Sequence, residues 1–117
     1  MHDTITNNIL RRKMSIQDFG EYTMTTRRFR AIEQHLSSEM KGEAVILSLK
    51  NGKYYGVNSV GAHIWKAIQS PNTFQEIQAG IMQEYEVDEA TCRQEVLSFL
   101  KKMVEEELVE ILDEKTS

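Results

Sequence analysis

The sequence predicts an α+β fold of winged-helix-like type, a three-stranded antiparallel sheet followed by three helices. Three observations carry this expectation. Apolar and β-branched residues recur with strand period on both sides of Asn51-Gly52. Three later segments carry apolar residues at helical spacing, each introduced by a capping residue. A sheet this small must cover its apolar face, and only the helices of this chain can do so.

The elements follow in order. Ile32, Gln34, Leu36 and Ser38 alternate with their neighbours and suggest a first strand, and Lys41-Gly42-Glu43 reads as a turn. In Ala44-Val45-Ile46-Leu47-Ser48-Leu49, the residues Val45, Leu47 and Leu49 share one strand face. Asn51-Gly52 favours the left-handed backbone of a type I′ turn, and Lys53–Val57 is the returning strand. Asn58 or Ser59 caps a first helix with Val60, Ile64, Trp65 and Ile68 at helical spacing. Thr73-Phe74-Gln75-Glu76 is a capping box that opens a second helix, and Asp88 caps a third of about 19 residues. The apolar arc of the third helix runs through Phe99, Cys92, Met103, Val96, Leu100, Val104, Leu97 and Leu108. It spans about half the circumference, wider than the ~100° stripe that one packed face requires. One of its edges is therefore expected to border a groove. Leu108–Ile111 closes the pattern as a short strand.

At 117 residues the chain suits one domain, with 1–30 as a flexible arm, 31–112 as the folded unit and 113–117 as a polar tail. No stretch approaches the ~20 apolar residues of a membrane span, and no apolar run follows Arg11-Arg12-Lys13 to form a secretory signal. Cys92, the single cysteine, has no intrachain disulfide partner, and a cytoplasmic setting fits it. Residues 1–42 hold seven basic and five acidic groups, whereas 43–117 hold seven basic and thirteen acidic groups. An acidic globular part is a poor electrostatic match for a phosphate backbone.

Catalytic motifs are missing from the sequence. Cys92 lies in a helix with no Cys or His at metal-ligand spacing, and His2, His35 and His63 are scattered. Neither a nucleophile elbow nor a P-loop is present. The reading is a binding protein, with no enzyme activity, metal or cofactor. The rival reading is a winged-helix nucleic-acid-binding regulator, which needs a basic recognition helix. Here Arg93, Lys101 and Lys102 face Glu89, Glu95, Glu105, Glu106 and Glu107 on the third helix. The strand Lys53–Val57 matters most, because an edge strand carries N–H and C=O groups that another chain can pair with.

These residues also carry a family resemblance. The stretch Gly42–Asn58, then Gly61-Ala62-His63-Ile64-Trp65, then Glu84–Asp88 followed by Glu95–Leu100, resembles PqqD-like proteins over about residues 32–111. The chain departs from the family pattern at Gln69-Ser70-Pro71-Asn72 and at Glu107, positions where the family often has glycine. The resemblance implies a RiPP recognition element of lasso-peptide type. Such a domain binds the leader of a ribosomally synthesised precursor peptide as an added strand, between the third strand and the third helix. It presents the precursor to a maturation enzyme, a leader peptidase or a radical SAM enzyme. On this chain the implied peptide-binding residues are Lys53, Tyr54, Tyr55, Gly56, Val57 and Asn58 on the strand. On the third helix they are Arg93, Leu97, Leu100, Lys101 and Val104, the two cations being placed to meet acidic leader residues. The clusters Arg11-Arg12-Lys13 and Arg27-Arg28 suggest that the arm docks on that enzyme or occupies the groove itself.

Overall fold

The computed structural model describes residues 27–112; the expectations for residues 1–26 and for the 113–117 tail lie outside them. The order is β1 (Arg28–Ala31), β2 (His35–Met40), β3 (Glu43–Ser48), β4 (Tyr54–Val57), α1 (Ser59–Ala67), β5 (Asn72–Thr73), α2 (Phe74–Glu84), α3 (Glu89–Glu105) and β6 (Val109–Leu112). The strands form two antiparallel sheets, β2-β3-β4 and β5-β1-β6.

The expected sheet is the first of these. Its two turns exchange the roles that the sequence suggests. Lys41 and Gly42 both have positive φ, 54° and 83°, as a type I′ turn requires. At the expected site only Gly52 does, at 74°, so Asn51-Gly52 is not a type I′ pair. Ser48 N–H instead donates to the Lys53 carbonyl across a four-residue loop. Inside it the Ser48 hydroxyl accepts from the N–H groups of Lys50 and Asn51, and the Asn51 side-chain oxygen Oδ1 accepts from Lys53 N–H at 2.8 Å. These side-chain bonds offer the backbone a wider turn than the dipeptide signal implies.

The second sheet corrects the domain boundary. Arg28–Ala31 falls partly within the expected arm, yet Phe29 is fully buried and Arg28–Ala31 pairs along β6 from Arg28↔Leu112 to Ala31↔Val109. Arg30 and Glu110 stand opposite each other and form an ion pair at 2.8 Å. Thr-rich polarity around Phe29 hides this strand, because one aromatic is too short a pattern to show a period.

All three helix caps form as expected. The Asn58 side chain accepts from Gly61 N–H, Thr73 and Glu76 complete a capping box, and Asp88 accepts from Thr91 N–H. These bonds from Thr91 hold the Asp88 carboxyl below its usual range. The core lies between the helices and both sheets. Ile46, Ile64, Ile68, Phe74, Ile77, Ile81, Val96, Leu100, Met103 and Leu108 are all essentially inaccessible. Cys92 is buried among them, and desolvation raises its thiol pKa, so it is a packing residue rather than a nucleophile. Among the described residues no helix is long and apolar enough to cross a membrane.

Candidate functional site

β4 is an outer strand of its sheet. Its hydrogen-bond parity follows from two observed bonds. Ser48 N–H bonds the Lys53 carbonyl, and Leu49 N–H bonds the Gln34 carbonyl. In an antiparallel ladder, bonded and non-bonded pairs alternate. With the register Leu47↔Tyr54, Ile46↔Tyr55, Val45↔Gly56 and Ala44↔Val57, the groups of Tyr55 and Val57 point at β3. Those of Tyr54 and Gly56 point away from it, at an edge that no other strand of the described residues pairs with. The edge thus offers two N–H and two C=O groups at the spacing that an antiparallel strand needs.

Side chains alternate in the same way. Tyr55 and Val57 face inward and are half-buried against the core, whereas Tyr54 is 72% exposed on the outer face.

The end of the third helix meets this strand, and the contacts of Tyr55 with Glu106 and of Gly61 with Val57 and Phe99 fix which flank it turns to it. The Tyr55 hydroxyl donates to Glu106 Oε1 at 2.6 Å and accepts from Asn51 Nδ2 at 3.0 Å. The bond to Glu106 is the main reason that the Tyr55 phenol pKa is raised. Lys50 pairs with Glu107 at 3.1 Å. Gly61 packs so closely that a Cβ there would stand 3.0 Å from Val57 Cβ and 3.1 Å from the Phe99 ring. Glycine is favoured at this point by close approach rather than by φ. Next to these contacts a groove of about 520 Å³ runs between the start of α1 and α3, lined by Asn58, Val60, Gly61, Ser98, Phe99 and Lys102 among others.

The strand half of the sequence-named site is therefore gathered at one edge, and the helix half is not. At 100° per residue, Glu95, Phe99, Lys102 and Glu106 form the flank of α3 toward β4. Arg93, Leu97, Lys101 and Val104 fall on the opposite side of the buried stripe. Arg93 lies over the Phe74 ring at 5.7 Å, Leu97 and Val104 pack against the core, and Leu100 is fully buried. The missed groove residues are Phe99, Gly61 and Lys102. Phe99 was visible as one end of the apolar arc, but helical periodicity does not say which end meets β4.

The acidic run at the end of α3 also has a role in this geometry. Glu107 occupies the left-handed region, φ 64°, at the position after the helix where glycine is usual. Its N–H bonds the Val104 carbonyl, and Leu108 N–H bonds that of Met103. The helix thus ends in a Schellman motif that holds Glu106 toward Tyr55 and Glu107 toward Lys50.

Residues 43–109 match the sequence model of the PqqD family, coenzyme PQQ synthesis protein D. No curated protein sequence matches the chain. Among solved structures, TbiB1 in complex with the TbiA(beta) leader peptide is 31% identical, covers 69% of this chain and 94% of its own, and has a TM-score of 0.63. Lasso peptide synthetase B1 complexed with the leader peptide is 17% identical over 69% of this chain and 95% of its own, with a TM-score of 0.60, and shares the fold. With over half its length matched and with the strand, the caps and the closing helix of the resemblance in place, the chain belongs to the PqqD family.

Proposed function

We propose that this protein is a non-catalytic adaptor that binds the leader of a ribosomally synthesised precursor peptide and presents it to a maturation enzyme. The leader adds as a strand to β4, with alternate side chains in the groove along α3. One observation carries this reading: the N–H and C=O groups of Tyr54 and Gly56 point away from β3, unpaired among the described residues, and β4 runs on through Asn58 into an apolar groove whose wall is Phe99. Backbone pairing supplies affinity and the groove supplies selection. Two structural neighbours named as leader-peptide complexes support it. The enzyme is read as a leader peptidase or a radical SAM enzyme of lasso-peptide type, and the setting as cytoplasmic. The nucleic-acid reading has no basic helix to rest on, since the α3 flank next to β4 mixes Lys102 with Glu95 and Glu106.

The test is selection of a displayed library of random 20-residue linear peptides on the immobilised full chain, with the TbiA(beta) leader as an added member. Enriched peptides are then titrated by fluorescence anisotropy. Peptides binding with micromolar or better affinity, and losing it in Tyr54→Pro, support the proposal. Proline at residue 54 removes an N–H that points at the open edge and leaves the β3 ladder intact. Failure of any linear peptide to enrich, or binding unchanged by Tyr54→Pro, overturns it.

A further inference from the structure

The outer face of the β2-β3-β4 sheet has a second cavity that the groove along α3 does not include. The register sets Ser38, Val45 and Gly56 in one row across the three strands, all on the outer face. Leu36, Leu47 and Tyr54 form the next row, and Met40 and Glu43 the row on the other side. Ser38 is short and Gly56 has no side chain, so the middle row is a trough. It holds about 470 Å³ and is lined by Met40, Val45, Gly56 and Asn58 among others. Met40, 69% exposed, forms one wall with Lys41 and Glu43 beside it, and the exposed Leu36 and Tyr54 stand in the row on the other side of Val45. The trough runs out at Gly56, on the free edge of β4. A Cβ built on Gly56 would meet nothing within 4 Å, and its φ is not positive. Neither crowding nor backbone conformation requires glycine there.

We infer that the trough seats one side chain of the peptide paired with β4, and that this side chain is aromatic or long and aliphatic. The inference rests on the strand-addition reading and adds a second point of selection to it. An incoming antiparallel strand makes its bonded pairs opposite Tyr54 and Gly56. The residue opposite Gly56 continues the row Ser38–Val45–Gly56 and carries its side chain on the outer face. With no Cβ on Gly56, that side chain can lie back over the glycine and onto Val45, against Met40. A large cross-strand neighbour covers a strand glycine in the same way within a folded sheet. Residues one step along the peptide, on either side, point the other way, toward Phe99 and the groove. The ligand is thus an extended peptide read on both faces at adjacent positions.

The experiment uses the full chain and a peptide enriched as above. Each peptide residue is replaced in turn by alanine and titrated against wild type, Gly56→Leu and Phe99→Ala. Gly56→Leu fills the mouth of the trough and fits the strand, and Val45→Thr serves as a second variant that keeps the β-branched shape. One peptide position is expected to bind at least about tenfold tighter with Phe or Trp than with Ala on wild type. That preference should shrink to within about threefold on Gly56→Leu and be weakened on Val45→Thr. An adjacent position should couple to Phe99→Ala instead. If Tyr54→Pro abolishes binding but no position couples to Gly56 or Val45, the trough inference fails and strand addition stands. If no peptide enriches, or if binding ignores Tyr54→Pro, both fail together.

Discussion

The β2-β3-β4 sheet has two outer strands, and they are built differently. β2 turns the N–H and C=O groups of Ser37 and Glu39 to its outer side, by the same parity that exposes those of Tyr54 and Gly56 on β4, whereas the His35 N–H is taken up by the Glu33 carbonyl at 2.8 Å. Beyond His35, whose ring stands edge-on to Trp65 at 4.8 Å, every residue of β2 is exposed. Its side chains on the helix side are Ser37 and Glu39, so a strand added there would lie on polar groups and beside a charge, a common guard of sheet edges. β4 turns Tyr55 and Val57 to that same side, half-buried, with Phe99 and Gly61 beyond them. Both edges can offer hydrogen bonds, but on the helix side only β4 offers apolar surface next to them. The comparison teaches that an unpaired strand is made into a binding site by what flanks it.

Matched prolines break or uphold this difference most directly. Tyr54→Pro is expected to weaken binding of a selected peptide about thirtyfold or more in an anisotropy titration, whereas Ser37→Pro on the other edge leaves it within about twofold. Equal losses would mean that the edges are equivalent. Phe99→Ala comes next, with about a tenfold loss of peptide affinity from the missing groove wall. Leu97→Ala, on the flank of α3 away from β4, serves as its control and should change thermal stability more than affinity.

Tyr55→Phe is smaller. It removes the bond to Glu106 that ties β4 to the end of α3, at an expected cost of about 0.5–1.5 kcal/mol in denaturant unfolding. The sign with pH follows from the raised phenol pKa. The contribution is complete below tyrosine's ordinary pKa of ~10 and is lost as more alkaline solution takes the pH through the folded value. Tyr55→Phe should lack that alkaline loss. Smallest, and of opposite sign, is Glu107→Gly. It relieves a left-handed φ of 64° and gives up only an exposed ion pair with Lys50. A stability gain of about 0.5–1 kcal/mol is expected, with peptide affinity nearly unchanged.

Much of the fold was legible where local chemistry decides it. Asn58, Thr73 and Asp88 cap their helices because each side chain acts on N–H groups within three residues. The strand Lys53–Val57 was legible for the same reason, through its alternation and the turn before it. What escaped depends on distant contacts. β1 is a strand because β6, some eighty residues later, pairs with it, and four residues around one phenylalanine do not announce that. The flank of α3 that meets β4 was misassigned because its apolar arc is symmetric in sequence, and only the bonds from Tyr55 and the packing on Gly61 break the symmetry. The turns were exchanged because Asn51 satisfies Lys53 N–H with its side chain instead of adopting the left-handed backbone.

The pairing of Arg28 with Leu112 carries a practical corollary for engineering. It brings the start of β1 and the end of β6 within one strand spacing, roughly 5 Å. A host protein could therefore take this unit as an insert in a surface loop, entering along β1 and leaving along β6, with little strain on either partner. Enzymes that lack a substrate-recruiting module could be given one by such grafting.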